Sequence, residues 1–218
     1  MDKIKAVIFD MDGVLLDTES ICKKCWIQAS EELGLAGGDI IFKRCIGCNN
    51  QDILKMVQDF FCDQKEYFDA NSFYNRTSEL FKIEEVTNGL PKMKGVDDCL
   101  KKLKSKGYIL SVASSTRRVA VTRQLTAAGI IDYFNTLTCG DSVVHSKPDP
   151  EIYLKACKSI GVLPENCVAI EDSANGIKSA YSAGLRCVMV PDQIEPTEDL
   201  LKLVWRVIPS LEVLNDYI

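Results

Sequence analysis

The feature that most constrains the fold of this chain is a series of five short apolar runs, separated by longer segments in which apolar residues recur at helical spacing. The runs are KAVIFD (5–10), YILSVAS (108–114), TLTCG (136–140), CVAIED (167–172) and RCVMV (186–190). Such runs predict buried strands, and the segments between them predict amphipathic helices. Repetition of strand and helix predicts an α/β fold with a Rossmann-like, mostly parallel sheet and right-handed crossovers.

The spacing of these runs is uneven. The last four strand ends lie about 20 to 30 residues apart, whereas the first two are separated by about 100. The stretch between them has helical spacing almost throughout and ends at NGLPKMKG (88–95), which is typical of a linker. We therefore predict an α/β core formed by residues 1–16 and 91–218, with a small α-helical cap domain inserted at residues 17–90.

Composition excludes several classes of protein. A chain of 218 residues that is 46% hydrophobic is long enough to bury a core without a metal or a disulfide. Its net charge of −5 argues against a nucleic-acid partner. No apolar run approaches the ~20 residues that span a bilayer, and the amino terminus lacks a signal-peptide layout. These features predict a cytoplasmic monomer that binds neither nucleic acid nor membrane.

The chain has ten cysteines, of which four form two Cys-x2-Cys pairs, Cys22 with Cys25 and Cys45 with Cys48. This spacing matches a structural zinc site. The first pair also belongs to a helical stripe, and a buried helix face explains it equally well. The stripe consists of Cys22, Cys25, Trp26, Ala29 and Leu33. We expect thiols packed in the interior, with a zinc site as the alternative.

Residues able to do chemistry follow the predicted strands at their carboxyl ends, where open parallel sheets bind ligands. Four of them are carboxylates, and such groups repel one another unless a cation lies between them. Oxygen ligands without histidine or thiolate favour Mg²⁺, and a lysine with a serine hydroxyl suits phosphoryl oxygens. The sequence thus predicts phosphoryl transfer. The residues concerned are Asp10, Asp12, Ser114, Lys147, Glu171 and Asp172.

Asp10 and Asp12 are assigned different roles. Asp10 ends the first strand, which would hold it rigidly, so we predict that it attacks phosphorus as the nucleophile. Asp12 lies on a turn that Gly13 permits and is predicted to act first as general acid and then as general base.

Four segments, in this order and spacing, resemble the signature motifs of the haloacid dehalogenase superfamily. They are VIFDMDGVLLDTES, VASS, KPDPEIY and VAIEDSANG. Within that superfamily the chain is similar to the branch of phosphatases and β-phosphoglucomutases with a helical cap. The resemblance implies that Asp10 forms an aspartyl-phosphate and that Ser114 and Lys147 hold the phosphate. It also implies Mg²⁺ bound by the side chains of Asp10 and Asp172 and the carbonyl of Asp12, with Glu171 assisting.

The predicted cap departs from the mutase pattern. Where β-phosphoglucomutases carry a histidine, this chain has Cys22, and where they carry basic residues around the cap-loop glycine it has Ile46 and Asn50. The resemblance therefore favours a Mg²⁺-dependent phosphatase acting on a small phosphorylated metabolite, such as a sugar phosphate. A β-phosphoglucomutase-type phosphomutase is the alternative, and a phospho-accepting, receiver-like switch is the hypothesis from a different class.

Three further residues, Ser115, Glu19 and Gly47, are predicted to bind the substrate. Simpler interpretations remain open for some candidates. Ser114 and Ser115 could cap the following helix, and Glu19 could be an ordinary acidic residue in a first helical turn. His145, the one histidine of the chain, is expected to be solvated.

Overall fold

The computed structural model describes residues 4–46 and 50–218. These residues divide into two compact units. The sheet unit contains the described residues up to Asp17 together with Pro91–Ile218, and the helical unit is Thr18–Leu90.

The sheet unit is built on one parallel sheet, which in the described part of the chain has six strands in the order β3-β2-β1-β4-β5-β6. The strands are β1 Ala6–Phe9, β2 Ile109–Ser114, β3 Thr136–Cys139, β4 Cys167–Glu171, β5 Arg186–Met189 and β6 Arg206–Val207. The predicted α/β fold is confirmed, and each of the five apolar runs contains a strand. The sequence did not predict β6, because it has only two residues and both are exposed.

Helices in the two units account for the long segments between strands. In the helical unit they are α1 Thr18–Glu32, α2 Gly38–Cys45, α3 Asn50–Phe61 and α4 Ala70–Asn88. In the sheet unit they are α5 Val96–Ser105, α6 Arg118–Ala127, α7 Glu151–Ile160, α8 Ala174–Ser182 and α9 Glu198–Leu201. Short 3₁₀ turns lie at Ile131–Tyr133, Gly140–Ser142, Pro164–Asn166 and Leu211–Asp216.

Burial explains why the central strands are almost entirely apolar. Every residue of β1 and β4 is buried, as expected for parallel strands that are covered on both faces. Glu171, the last residue of β4, is the charged exception, and its side chain is completely buried. A buried carboxylate requires charged or hydrogen-bonding partners, so this residue points to a polar site at the end of the strand.

The core of the helical unit is aromatic. The ring of Trp26 on α1 packs edge-on against Phe42 of α2 and Phe73 of α4, with centroids 5.6 Å apart in both pairs. Cys25 and Ala29 are buried beside it, and Cys22 is partly buried, as the predicted helical stripe requires. Leu33 was assigned to this stripe wrongly: α1 ends at Glu32, and Leu33 is exposed.

The zinc alternative concerns four cysteines, one of which, Cys48, lies outside the described residues. Among the residues that the structure describes, the groups able to hold a metal ion consist of carboxylates and one histidine, without cysteine. In the same described ranges, no helix combines the length and the apolar character needed to cross a bilayer.

Candidate active site

The central strand β1 brings the predicted nucleophile to the middle of the sheet edge. Phe9, the last residue of β1, is in register with Val112 of β2 and Ile170 of β4, so the three strands end within two residues of one another. Asp10 follows directly, and its backbone N–H donates to the carbonyl of Ile170 at 2.9 Å. In the sheet, β1 has β2 on one side and β4 on the other, so the direction in which strands are added reverses at β1. Asp10 therefore lies at the switch point where open α/β sheets bind ligands.

A buried ammonium joins two of the carboxylates. Nζ of Lys147 lies 2.6 Å from Oδ1 of Asp10 and 2.6 Å from Oε1 of Glu171, and it also donates to the carbonyl of Ala113 at 3.0 Å. The exposed fractions of the side chains are 7% for Lys147, 10% for Asp10 and 0% for Glu171. Asp10 and Lys147, which are 137 positions apart, thus form one desolvated ion-pair network with Glu171.

Glu171 is fixed by further contacts on both carboxylate oxygens. The hydroxyl of Tyr153 on α7 donates to Oε1 at 2.7 Å, and Oγ of Ser173 donates to Oε2 at 3.2 Å. The first turn of α8 approaches so closely that a Cβ atom at Gly176 would overlap the Glu171 carboxylate. Glycine at this position allows the helix to pack against the carboxylate, whose orientation is therefore fixed.

The carboxylate of Asp12 accepts hydrogen bonds from two hydroxyl groups, one at the end of β2 and one just after it. Thr116 Oγ1 donates to Oδ2 of Asp12 at 3.0 Å, and Oγ of the buried Ser114 lies 3.4 Å from the same oxygen. The N–H of Thr116 donates to Oγ of Ser114 at 3.1 Å, which holds the Ser114 hydroxyl in place. Asp12 and Ser114 are therefore neighbours although 102 positions separate them.

Asp172 reaches the site beside the turn that follows Asp10. Gly13 adopts a left-handed φ of 74°, and a Cβ atom there would overlap Oδ2 of Asp172. The turn requires glycine both for its conformation and for this close approach. Ligand oxygens of Asp10, Glu171 and Asp172 all lie within 4.8 Å of one another.

The electrostatics of the cluster follow from burial and from like charges. Burial, together with the charges of Glu171 and Asp12, raises the pKa of Asp10 to about 7 in spite of Lys147. The pKa of Asp172 is raised well above its usual value, first by burial and then by Glu171 and Asp10. Burial opposes the ammonium of Lys147, but Asp10 and Glu171 outweigh it and raise the pKa of the lysine.

This donor set fits a hard divalent cation. Lys147 interacts electrostatically with Asp10, Glu171 and Asp172, and Asp12 adds a further negative charge near Asp10, so the carboxylates outnumber this ammonium. A small divalent ion would relieve their repulsion, and oxygen-only ligands select Mg²⁺ or a similar ion over softer metals.

Three residues of the site were not predicted from the sequence: Thr116, Tyr153 and Asp192. Tyr153 lies within KPDPEIY, but nothing in that string indicates that its hydroxyl reaches Glu171. Asp192 follows β5, and its Oδ2 is buried without a hydrogen-bond donor among the described residues. It lies near Asp172, whose pKa it helps to raise. The sequence signal that could have identified Asp192 is its position as an acidic residue just after the fifth strand.

The predicted substrate residues are less closely tied to this cluster. Ser115 is exposed. Glu19 is in the first turn of α1 in the helical unit, where it lines a cavity of about 240 Å³ together with Cys22, Tyr74 and apolar side chains. Gly47 lies outside the described residues.

Simpler roles were considered for Ser114, Ser115, Glu19 and His145. Helix α6 begins at Arg118 with Arg117 as its N-cap, so the capping role considered for Ser114 and Ser115 is wrong. Glu19 is indeed a first-turn acid. The side chain of His145 is 70% exposed, as expected, and its Nδ1 lies 3.4 Å from Oε2 of Glu151.

Comparison with known proteins agrees with this geometry. Residues 7–190 match the family model described as haloacid dehalogenase-like hydrolase. A phosphorylated carbohydrates phosphatase from Thermotoga maritima is 32% identical over 84% of this chain and 82% of its own length. A β-phosphoglucomutase from Bacillus subtilis is 30% identical over 86% of this chain and 83% of its own.

A solved structure extends the likeness to nearly the whole chain. The crystal structure of mutant CbbY from Rhodobacter sphaeroides in complex with xylulose-(1,5)bisphosphate is 26% identical, with a TM-score of 0.72. The match covers 97% of this chain and 96% of that one.

Proposed function

This chain belongs to the haloacid dehalogenase-like hydrolase family, and on that premise we propose that it is a Mg²⁺-dependent phosphatase of small phosphorylated carbohydrates, working through an aspartyl-phosphate. The observation that carries the proposal is the buried contact of 2.6 Å between Lys147 Nζ and Asp10 Oδ1 at the switch point of the sheet. A phosphatase relative at 32% identity supports the reaction class.

Asp10 is the proposed nucleophile. Its backbone is held by the hydrogen bond to Ile170, and Lys147 holds one of its carboxylate oxygens. A carboxylate that is restrained in this way can attack the phosphorus of a bound monoester without losing much further freedom. The P–O bond to the leaving alcohol breaks as the bond from Asp10 to phosphorus forms.

Asp12 is the proposed acid and base. In the first step it would protonate the leaving oxygen, and in the second it would take a proton from the water that hydrolyses the aspartyl-phosphate. The hydroxyls of Thr116 and Ser114 at its Oδ2 support this role, because they fix the orientation of the carboxyl group.

Lys147 and Ser114 are proposed to bind the phosphoryl oxygens. The lysine supplies a desolvated positive charge, and the Ser114 hydroxyl supplies a donor beside Asp12. Such groups stabilise the charge that develops on the phosphoryl oxygens most strongly where water is excluded.

Mg²⁺ would be held by the side chains of Asp10 and Asp172 and by the carbonyl of Asp12. When bound, it neutralises phosphoryl charge. Glu171 already accepts hydrogen bonds from Lys147, Tyr153 and Ser173, which supports an assisting role. Its main contribution would be to position Lys147.

The substrate class rests on the relatives. One is named as a phosphatase of phosphorylated carbohydrates, and a structure similar to this chain is a complex with a sugar bisphosphate. We propose that the helical unit Thr18–Leu90 serves as the cap. Glu19, Ser115 and Gly47 remain proposed contributors to binding of the sugar portion.

A phosphomutase is the second candidate, because a β-phosphoglucomutase is 30% identical to this chain. The resemblance places Cys22 where mutases of that kind carry a histidine, and a thiol does not supply the same proton-transfer group at neutral pH. Hydrolysis is therefore the better proposal. The receiver-like switch gains no support from a family of hydrolases.

The test is a phosphatase assay over a panel of sugar phosphates, with Mg²⁺ and with a chelator. We expect Mg²⁺-dependent release of phosphate that Asp10→Asn abolishes and that Asp132→Asn, an exposed control, retains. Activity that survives in Asp10→Asn would refute the mechanism. Conversion of β-glucose 1-phosphate to glucose 6-phosphate in the presence of the bisphosphate activator, without net phosphate release, would establish the mutase instead.

A further inference from the structure

Away from the carboxylate cluster, the sheet unit contains two cysteine thiols that lie close together. The sulfur of Cys157 on α7 lies 3.7 Å from the sulfur of Cys167 at the start of β4. Sulfur atoms in a disulfide are ~2.05 Å apart, so bond formation requires the pair to close by only about 1.7 Å. Both side chains are buried, with exposed fractions of 2% and 0%.

One of the two cysteines borders a cavity. Cys157 lines a cavity of about 380 Å³ together with Leu154, Lys158, Gly161 and Leu163, whereas Cys167 is not part of its wall. A cavity of this volume admits a molecule the size of hydrogen peroxide. The thiol of Cys167, in contrast, donates to the carbonyl of Leu163 at 3.4 Å.

The two thiols also differ in acidity. The contact with the Cys157 sulfur and burial both raise the pKa of Cys167. Because the thiolate is the reactive form of cysteine, Cys157 is the better nucleophile of the pair. The cysteine that borders the cavity is thus also the better nucleophile of the pair.

We propose that Cys157 and Cys167 form a dithiol site that a hydroperoxide oxidises to a disulfide. The Cys157 thiolate attacks a peroxide oxygen, the O–O bond breaks, and Cys157 becomes a sulfenic acid with release of water or an alcohol. The Cys167 sulfur then attacks the sulfenic sulfur, the S–O bond breaks and a second molecule leaves as water. The two thiols lose two electrons and two protons, which reduce the hydroperoxide.

This site connects the same two elements that hold Glu171. Tyr153, which donates to Glu171 at 2.7 Å, precedes Cys157 by one helical turn on α7, and Glu171 follows Cys167 on β4. Bringing the two sulfurs to bonding distance would shift α7 against β4. This shift would disturb the hydrogen bond from Tyr153 that orients Glu171 and, through Glu171, Lys147. On the proposed function, we therefore expect the oxidised protein to hydrolyse phosphate esters several-fold more slowly, and dithiothreitol to restore the rate.

Peptide mapping tests the dithiol directly, without an activity assay. Cleavage by trypsin after Lys155 and Lys158 separates Cys157 (residues 156–158) from Cys167 (residues 159–178), so a disulfide joins two peptides that are otherwise apart. After treatment of the folded protein with hydrogen peroxide and alkylation, we expect this linked pair. It should be absent from Cys157→Ser and from Cys167→Ser and retained in Cys62→Ser, which removes an exposed thiol.

Each outcome is decisive. Oxidation of Cys62 without formation of the 157–167 link would overturn the dithiol site. A link that forms without changing phosphatase activity would refute the coupling to Glu171 and leave the site intact. If the reduced protein proved inactive on every phosphate ester, the proposed function would fail, and the peptide map would still decide whether the dithiol site exists.

Discussion

Lys147 Nζ lies 2.6 Å from Asp10 Oδ1 and equally far from Glu171 Oε1, so one ammonium joins the residue that follows β1 to the last residue of β4. All three side chains are largely desolvated. The lysine thus has two tasks: it offsets the charge of buried carboxylates, and in the proposed reaction it binds the phosphoryl group.

Replacement of Lys147 by methionine should affect both tasks. We expect kcat/KM to fall by about 10²–10³-fold, as for loss of one preorganised donor to a charged transition state. We also expect the free energy of unfolding to fall by about 3–5 kcal/mol, because buried carboxylates lose their partner. Kinetics and thermal unfolding measure these effects, with the exposed Lys101→Met as control. Unchanged activity in Lys147→Met would contradict the assignment.

The proposed roles of Asp12 can be separated by choosing the leaving group. p-Nitrophenolate leaves without protonation, so Asp12→Ala should still be phosphorylated at Asp10 by p-nitrophenyl phosphate. The second step lacks its general base and should slow by about 10²–10⁴-fold. Rapid-quench kinetics should therefore show a burst close to one equivalent of p-nitrophenol, and mass spectrometry should detect phosphate on Asp10. Steady release without a burst or a phosphorylated form would argue against Asp12 as the base.

A metal ion should bind where ligand oxygens of three carboxylates lie within 4.8 Å of one another. These carboxylates are Asp10, Glu171 and Asp172. Mg²⁺ that binds only the folded protein should stabilise it by about 2.7 kcal/mol at 100 times its Kd. Asp172→Asn should remove this Mg²⁺-dependent rise in Tm. In chelator, however, the variant should be at least as stable as the parent, because it removes one of several repelling charges. An equal rise in Tm for both proteins would place the ion elsewhere.

Gly176 provides a steric test of how α8 meets Glu171. In an ordinary helix, alanine is more stable than glycine by about 1 kcal/mol. A Cβ atom at this position would overlap the carboxylate of Glu171, so Gly176→Ala should instead lower both Tm and activity. Ser182→Ala, an exposed change at the other end of α8, is the matched control and should be neutral or slightly stabilising. A Gly176→Ala protein with raised Tm and full activity would show that Glu171 can move aside.

The sequence predicted the parts of this site that depend on position along a strand. Asp10 directly follows β1 and Asp172 directly follows β4, and parallel strands bring their carboxyl ends to one edge, so pattern alone was enough to place them together. The hydroxyl of Tyr153 was not predictable, because its contact with Glu171 depends on how α7 packs on the sheet. The assignment of Leu33 to the buried stripe of α1 was wrong for a similar reason. The helical spacing of apolar residues continues to Leu33 in the sequence, but α1 ends at Glu32.

A final prediction concerns pH and the loop that carries Lys147. The Glu151 carboxylate accepts hydrogen bonds from Lys155 at 2.7 Å and from the N–H groups of His145 and Val144 at 2.9 and 3.0 Å. These contacts lower the pKa of Glu151 from 4.5 to about 2. Since folding favours the charged form of Glu151, its contribution to stability is present above pH 4.5 and is lost as the pH falls towards 2.

We therefore expect Glu151→Gln to lower Tm near neutral pH. The difference in Tm between variant and parent should narrow steadily below pH 4.5. Glu165→Gln, an exposed control, should show no such gap. A gap that stays constant on acidification would mean that Glu151 acts through its shape rather than its charge.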